Sequence, residues 1–439
     1  MSKRTRVLIL GAAGRDFHNF NTVYRGRDDV EVVAFTATQI MGIAGRTYPP
    51  SLAGALYPRG IPILDEKDLP RIIKELAVEE AVFSYSDVSN DHVMALAART
   101  IAAGARFTFL TDRETYIKSR VPMVAVVAVR TGCGKSQTTR FIIDHLRAKK
   151  KKVVAIRHPM PYGDLEKQKV QRYERLEDLD RYACTIEERE EYRPHIESGN
   201  IIYAGVDYEA ILREAEKEAD VIVWDGGNND TSFYKPDLLV TVTDPFRAEA
   251  ARTHHPGQTN FITADVILIN KVNTAPEADV RRIEQLARLM NPRAVVVRAD
   301  SSIELERPES VRGKIVAVVE DGPTLTHGDM AFGAGKVAAD KAQVASIVDP
   351  RRYAVGLIAE AYARFPHLDA IIPALGYSGQ QIRDLEETLN RIECDVVISA
   401  TPADLTELVK INKPILKVVY ELKDIYTPSL VSQLDKFIP

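Results

Sequence analysis

Cysteine is scarce in this chain of 439 residues: Cys133, Cys184 and Cys394 stand far apart and no CxxC pair occurs. That excludes a disulfide framework and argues against a structural zinc site, and it fits a reducing, cytoplasmic setting. Neither sign of charge is in excess. The net charge is −4, so no nucleic acid is expected as a partner. Long apolar runs are missing too. No stretch approaches a bilayer span, and the basic start MSKRTRVLILGAAG has too short an apolar run for a signal peptide, so no membrane association is expected. There is no internal repeat and no low-complexity segment. Hydrophobic residues at 45% and charged residues at 27% describe a globular chain long enough for two or three domains. The one basic run, Lys149 to Lys152, reads as a helix C-terminus favoured by the dipole.

Short apolar runs alternate with amphipathic segments along most of the chain. VLIL (7–10), VEVVAF (30–35), EAVFSY (80–85) and ARFTFL (105–110) read as buried strands, and such alternation predicts an α/β architecture with parallel sheets. After the polar connector TDRETYIKSRVP comes a stronger strand, MVAVVAV (123–129). The expected organisation is a Rossmann-like domain over 1–120 and a larger P-loop NTPase domain over 121–439, with a mainly parallel sheet. Its strand series runs KVVAI, NIIYAG, DVIVWD, DLLVTVTD, DVILINK, RAVVVRA and KIVAVVE. The polar stretch of about 159–199 is expected to form a helical lid, and about 340–439 a C-terminal α/β extension.

The segment AVVAVRTGCGKSQTTR (125–140) places Gly134-Lys135-Ser136 directly between a strand and a helix. A phosphate loop requires that order: backbone N–H groups of the turn and helix start face the phosphates, the lysine reaches the β/γ-phosphates, and the Ser hydroxyl binds Mg²⁺. Val129 stands where the usual pattern has its first glycine. RTGCGKS instead resembles the deviant loop of partitioning and cell-division ATPases, with Arg130 in place of their signature lysine; its planar fork suits phosphate oxygens. Asp225, ending DVIVWD before Gly226 and Gly227, is the expected Mg²⁺ organiser. Gly132, Gly134, Lys135, Ser136 and Gln137 are expected to hold nucleotide. Asn270 and Lys271 in VILINKVNTA resemble the N-K-x-D base signature, but Asn273 replaces its aspartate. One amide carbonyl offers guanine less than a carboxylate does, so ATP is expected rather than GTP. The loop around Ala400 to Leu405 is expected to finish the base pocket.

Cationic groups crowd the segments that follow. Arg157, His158 and Tyr162 lie in IRHPMPYGDL with Pro159 and Pro161; Lys167, Lys169, Arg172, Arg175 and Arg181 lie in the lid; Arg247, Arg252, His254 and His255 lie in DPFRAEAARTHHPGQTN. As a set they favour a multiply phosphorylated or carboxylated second substrate. The acidic run Glu187, Glu188, Glu190 and Glu191 reads as a solvated helix face rather than a second metal site. The core resembles the class of nickel-insertion GTPases and dethiobiotin synthetase. RHPMPYGDL, CTIEEREEYRPHI (184–196), YAGVDY (203–208), WDGGNND (224–230), HPGQTN (255–260) and DGPTLTHG (321–328) together resemble archaeal cyclic 2,3-diphosphoglycerate synthetase. That resemblance implies an ATP-dependent ligase closing an intramolecular phosphoanhydride in 2,3-diphosphoglycerate, with release of ADP and phosphate. Lys135, Ser136 and Asp225 would serve ATP and Mg²⁺, and Arg130, Arg157 and His158 the passing phosphoryl group. Two alternatives stay open: a regulatory or metallochaperone-type NTPase, and a kinase of another phosphorylated metabolite. A homodimer is expected, as for relatives of this nucleotide core.

In the first domain, Gly11-x-x-Gly14 follows a strand, but Phe35 to Thr38 offers no acidic ribose partner. A Rossmann-like domain that does not bind NAD is expected. Arg15, Asp16, His18 and Asn19 at that turn are candidates for an anion, with the Gly/Pro-rich loop 43–63 folded over them.

Overall fold

The structure, a computed structural model, describes residues 3–38, 43–158, 160, 163–227, 230–322, 325, 331–401 and 403–438. The fold is α/β with parallel-dominated sheets, as expected. Buried strands alternate with helices along the chain and gather into three larger sheets.

The first sheet has the spatial order Thr47–Tyr48, Ile61–Asp65, Val30–Ala37, Thr5–Leu10, Glu80–Phe83, Arg106–Phe109. All neighbours run parallel except the first pair. The central sheet runs Val170–Tyr173, Ile201–Gly205, Val153–Arg157, Val221–Asp225, Met123–Ala128, Leu238–Thr243, Val266–Ile269, Val295–Arg298, and only its first strand is antiparallel. Its middle strand shows why a continuous apolar run was required. Val124, Val126 and Ala128 pack with Ile142, Ile143 and Leu146 of the helix Lys135–Ala148 on one face. Met123, Ala125 and Val127 pack with Ile211, Leu212 and Trp224 on the other. Each fully buried Val, Ile or Leu contributes about 1.5–3 kcal/mol relative to exposure, so neither face tolerates a polar residue.

The expected helical lid is partly a strand. Val170–Tyr173 extends the central sheet, and the helices Leu176–Arg181 and Ile186–Glu197 follow it. Gln171 and Tyr173 are buried while Val170 and Arg172 are half-buried, the period of two that marks an edge strand.

A third sheet occupies the C-terminal part, in the order Asp300–Leu305, Ile415–Lys423, Val396–Ala400, Ile315–Asp321, with Ser346–Ile347 and Ile372–Ala374 on the far side of the last. The C-terminal unit therefore opens near residue 300 rather than 340. KIVAVVE, expected among the central strands, lies in the middle of this sheet. A strand buried on both faces has the same sequence pattern whichever sheet it joins, so periodicity did not report its neighbours.

The first domain is clasped to the second. His18 stacks on Phe233 at 4.1 Å between ring centroids, and Val88–Ser89 pairs with His254–His255.

Candidate active site

The loop between Met123–Ala128 and Lys135–Ala148 is shaped by backbone that favours glycine. Gly132 has φ +83° and Gly134 φ +107°. A Cβ on Gly134 would lie 2.1 Å from Asn270 Nδ2 and 2.6 Å from Gln137 Nε2, so no larger residue fits. Val129 is 2% exposed and belongs to the core below the loop, which explains the missing first glycine. Asn270 Nδ2 donates to the Cys133 carbonyl at 2.9 Å, and Lys271 Nζ to the Gly132 carbonyl at 2.9 Å while pairing with Asp244 at 2.8 Å. These two residues, expected at the base, brace the phosphate loop. Asn273 exchanges both its amide groups with the backbone of Ser301 (3.0 and 3.1 Å), and the Ser301 hydroxyl donates to Gln137 Oε1 at 3.3 Å. Lys135, the first residue of the helix, is buried; burial lowers its pKa, opposed by Cys133, Asp87 and Asp225. Ser136 and Arg130 are half-buried at the same turn.

Asp225 ends a strand directly beside the loop's own strand. Its Oδ1 accepts from the Thr139 hydroxyl at 3.0 Å and pairs with Arg157 Nη1 at 3.0 Å. Its Oδ2 lies 3.1 Å from His195 Nε2. Burial alone would raise its pKa; Arg157, His195 and Thr139 outweigh burial and hold the carboxyl well below the usual range. Arg157 reaches further, with Nη2 2.6 Å from Glu191. The two carboxylates overcome the effect of burial and keep the guanidinium firmly charged. His158 lies over Gly227, where a Cβ would come within 1.8 Å of its ring. Burial, then Arg157 and Lys135, drive its pKa far down, so it is neutral at neutral pH.

Thr139 and His195 were not singled out in the sequence, and Glu191 was named only within the acidic run. The signal was there for His195: Glu188, Tyr192, His195 and Ile196 are spaced along one helical face, and all four are buried. The acidic run is therefore not a solvated face. Glu188 is 2% exposed, and Glu191 holds Arg157.

The first domain also reaches the loop, through residues that sequence reasoning missed. The Thr131 hydroxyl donates to Asp87 Oδ2 at 2.7 Å, and Asp87 adopts φ +60°. Asp230, 5% exposed, is hydrogen-bonded by Ser86; burial pushes its pKa up to about 6 against the pull of Arg15 and Lys135. Arg15 Nη2 donates to the Thr231 carbonyl at 2.6 Å. The other anion candidates turn inward. Asp16 accepts from the N–H groups of Ala13, Gly14 and Phe17 at 2.7–3.0 Å, filling the Gly11-x-x-Gly14 turn with its own carboxylate. His18 is held at the Thr115 carbonyl (2.8 Å), and Asn19 donates to Ser84 (2.9 Å).

The expected gathering of cations is formed only in part: Arg157, His158 and Arg247 lie at Asp225, Gly227 and Cys133, and the others disperse. Lys167, Lys169 and Arg172 pair with Asp164, Asp207 and Glu218 on the sheet edge, and Arg175 and Arg181 are exposed. Arg252 pairs with Glu249, Arg247 with Asp244. His254 is half-buried, and His255 packs on Phe83 and Phe109 with its pKa pushed down to about 4 by burial. Edge-strand and helix-surface positions send the lid cations and Arg252 to local acids or solvent, whereas Arg247 is buried against Cys133 of the phosphate loop. Pro159, Pro161, Tyr162, Asn228, Asn229, Pro402 and most of DGPTLTHG lie outside the described residues.

A glycine turn between a buried parallel strand and a helix, with an acidic strand end beside it, defines a phosphate-loop nucleotide-binding protein. In agreement, the family model described as the CobW/HypB/UreG nucleotide-binding domain matches residues 212–298, a stretch that contains Asp225, Asn270 and Lys271. Among solved structures, the chain is similar to LpxK of Aquifex aeolicus in complex with ATP (13% identity, 74% of this chain and 91% of that one, TM-score 0.44). It is also similar to the hydrogenase maturation factor HypB of Archaeoglobus fulgidus (19%, 41% and 81%, TM-score 0.28). Over 435 residues, 99% of this chain and 97% of the relative, it is 59% identical to arginine synthetase ArcE of Thermococcus kodakarensis. The chain belongs to that family. No helix among the described residues is long and apolar enough to cross a membrane.

Proposed function

We propose that this protein is an ATP-dependent ligase that moves the γ-phosphoryl group onto an oxygen of a second substrate and then exchanges that oxygen for nitrogen, giving arginine, ADP and phosphate. The identity to a named arginine synthetase over nearly the whole chain carries this reading, since it spans all three sheets and the site between them. The chemistry is consistent with the geometry. A ureido carbon becomes a guanidinium carbon when its oxygen leaves as phosphate and ammonia takes its place, a reaction that calls for charge stabilisation and positioning.

In this reading Lys135 reaches the β/γ-phosphates, the turn at Gly132 and Gly134 surrounds them with N–H groups, and Arg157 meets the moving phosphoryl group. Adenine is favoured because Asn273 has neither a carboxylate nor a free amide for guanine. Asp225 spends three of about four acceptor positions on Thr139, Arg157 and His195, which leaves one for Mg²⁺ or its water. With the Ser136 hydroxyl, that donor set fits the ion. When bound, Mg²⁺ would neutralise phosphate charge.

A second reading, closure of a cyclic anhydride in 2,3-diphosphoglycerate, is favoured by the strings from RHPMPYGDL to HPGQTN. It shares the first half of the chemistry, but it asks a highly anionic substrate to lie near Glu190, Glu191 and Asp321. The test is phosphorus NMR in two tubes. ADP, phosphate and L-arginine should give ATP through the reverse reaction. Mg-ATP with 2,3-diphosphoglycerate should give no new pyrophosphate-region product. The opposite pair of results would replace the first reading by the second.

A further inference from the structure

The third sheet has a topological switch point. From Ile315–Asp321 the chain passes to Ser346–Ile347 and Ile372–Ala374 on one side and then to Val396–Ala400 on the other. Ligands of open α/β sheets bind where carboxyl ends diverge in this way. Asp321 and Thr401 stand at those ends, with Tyr377 just past the Ile372–Ala374 strand; its hydroxyl lies 2.7 Å from Thr401 Oγ1. The helix Ile186–Glu197 closes the crevice from the central domain. Glu190 hydrogen-bonds Tyr377 and lies near Asp321, while Glu191 holds Arg157.

The crevice is built for positive charge. The anion-attracting N-terminus of the helix Ala334–Lys341, which could have drawn a phosphate, is already occupied: Glu320 accepts from the N–H groups of Gly333, Gly335 and Lys336 at 2.9–3.1 Å. The lining carries the carboxyl groups of Glu190, Asp321 and Glu191, the last already paired with Arg157, and the hydroxyls of Tyr377 and Thr401. Glu190 Oε1 is out of solvent and has no hydrogen-bond partner among the described residues. Arg157, 3% exposed, pairs through its Nη2 with Glu191. One guanidinium thus spans from Asp225 beside the phosphate loop to Glu191 at the crevice.

We propose that this crevice, formed by Glu190, Glu191, Asp321, Tyr377 and Thr401, binds the nitrogen cation of the reaction, ammonium on one side and the guanidinium of the product on the other. The inference rests on the ligase reading and places its second substrate one side chain away from the transferred phosphoryl group. Arginine is thereby distinguished from a polyanionic substrate by the same carboxylates that hold it.

The test is calorimetric titration of the full-length protein with L-arginine, with methylguanidinium and with the uncharged ureido analogue of arginine, using wild type, Glu190→Gln and Tyr377→Phe. Both cations should bind wild type and lose at least about tenfold in affinity in Glu190→Gln, the size of one charge-assisted hydrogen bond. Tyr377→Phe should weaken them severalfold, and the ureido analogue should change little in either variant. Ammonium chloride should compete with methylguanidinium. Equal affinity of the cations for wild type and both variants overturns the crevice assignment, as does failure of both cations to bind wild type. If methylguanidinium binding depends on Glu190 while arginine, ADP and phosphate yield no ATP, the crevice stands and the arginine reading falls.

Discussion

Lys135 and Asp230 show what a single side chain decides here. Removing the Lys135 ammonium with Lys135→Ala should lower the rate of ADP release by about 10²–10³, the usual cost of deleting one preorganised charge donor, with the helix left intact because alanine is a good helix former. Stopped assays at saturating Mg-ATP check this; an unchanged rate would remove the lysine from the phosphate site. Asp230 makes a pH prediction. Its folded pKa is raised to about 6 from an unfolded 3.8. The stability that protonation lends the fold is therefore fully present below 3.8 and lost as pH rises through 6. Asp230→Asn should be more stable than wild type at pH 7–8. Relative to pH 4, its advantage should grow by up to about 3 kcal/mol, two pKa units at about 1.4 kcal/mol each. Denaturant midpoints at pH 4 and 8 read this directly, and parallel curves for the two proteins would contradict it.

Among the elements, the connection after the strand Glu80–Phe83 and the helix Ile186–Glu197 matter most: the first brings Asp87 from the first domain to the phosphate loop, and the second brings His195 and Glu191 to Asp225 and Arg157. Asp87 reaches Thr131 in a left-handed conformation that Asp tolerates better than most residues. Asp87→Asn keeps the shape and can still accept one hydrogen bond, so the fold should survive while the negative charge near Lys135 is lost. We expect kcat/KM for ATP to change by about tenfold, one charged interaction's worth, with the unfolding temperature within a degree or two of wild type. A large fall in unfolding temperature would make Asp87 a purely structural clasp. The helix Ile186–Glu197 falls in the stretch expected to be helical, and Thr185 and Glu188 cap it with a capping box. Its inward face was not recognised, because four glutamates in five positions resemble a solvated surface until their partners Arg157 and Tyr377 are seen.

For the whole molecule, three units converge on one loop: the first domain through Asp87 and Ser86, the central sheet through Lys135 and Asp225, the C-terminal sheet through Ser301 and the crevice. Ligands should tighten different seams. In hydrogen exchange, Mg-ADP should protect residues 130–139 and 270–273. Addition of L-arginine should extend protection to 186–197 and 372–401, with opening free energies rising by about 2.7 kcal/mol at a hundredfold excess over the dissociation constant. Protection by arginine confined to the first domain would relocate the second substrate.

The sequence by itself determined the α/β class, the phosphate loop and the strand-ending Asp225, because these depend on local order: an apolar run, a turn that favours glycine and a helix start lie within twenty residues. That the carboxylate of Asp16 folds into the Gly11-x-x-Gly14 turn is a tertiary outcome. Only the tertiary structure decided which sheet KIVAVVE joins, that Asn270 and Lys271 brace the loop, and that the scattered cations stay with local acids. Those outcomes depend on pairings across many residues of chain, and burial patterns record that a side chain is inside without recording its neighbour. The charge of the second-substrate crevice was decided in the same way, when residues 190, 321 and 377 from two units were brought face to face.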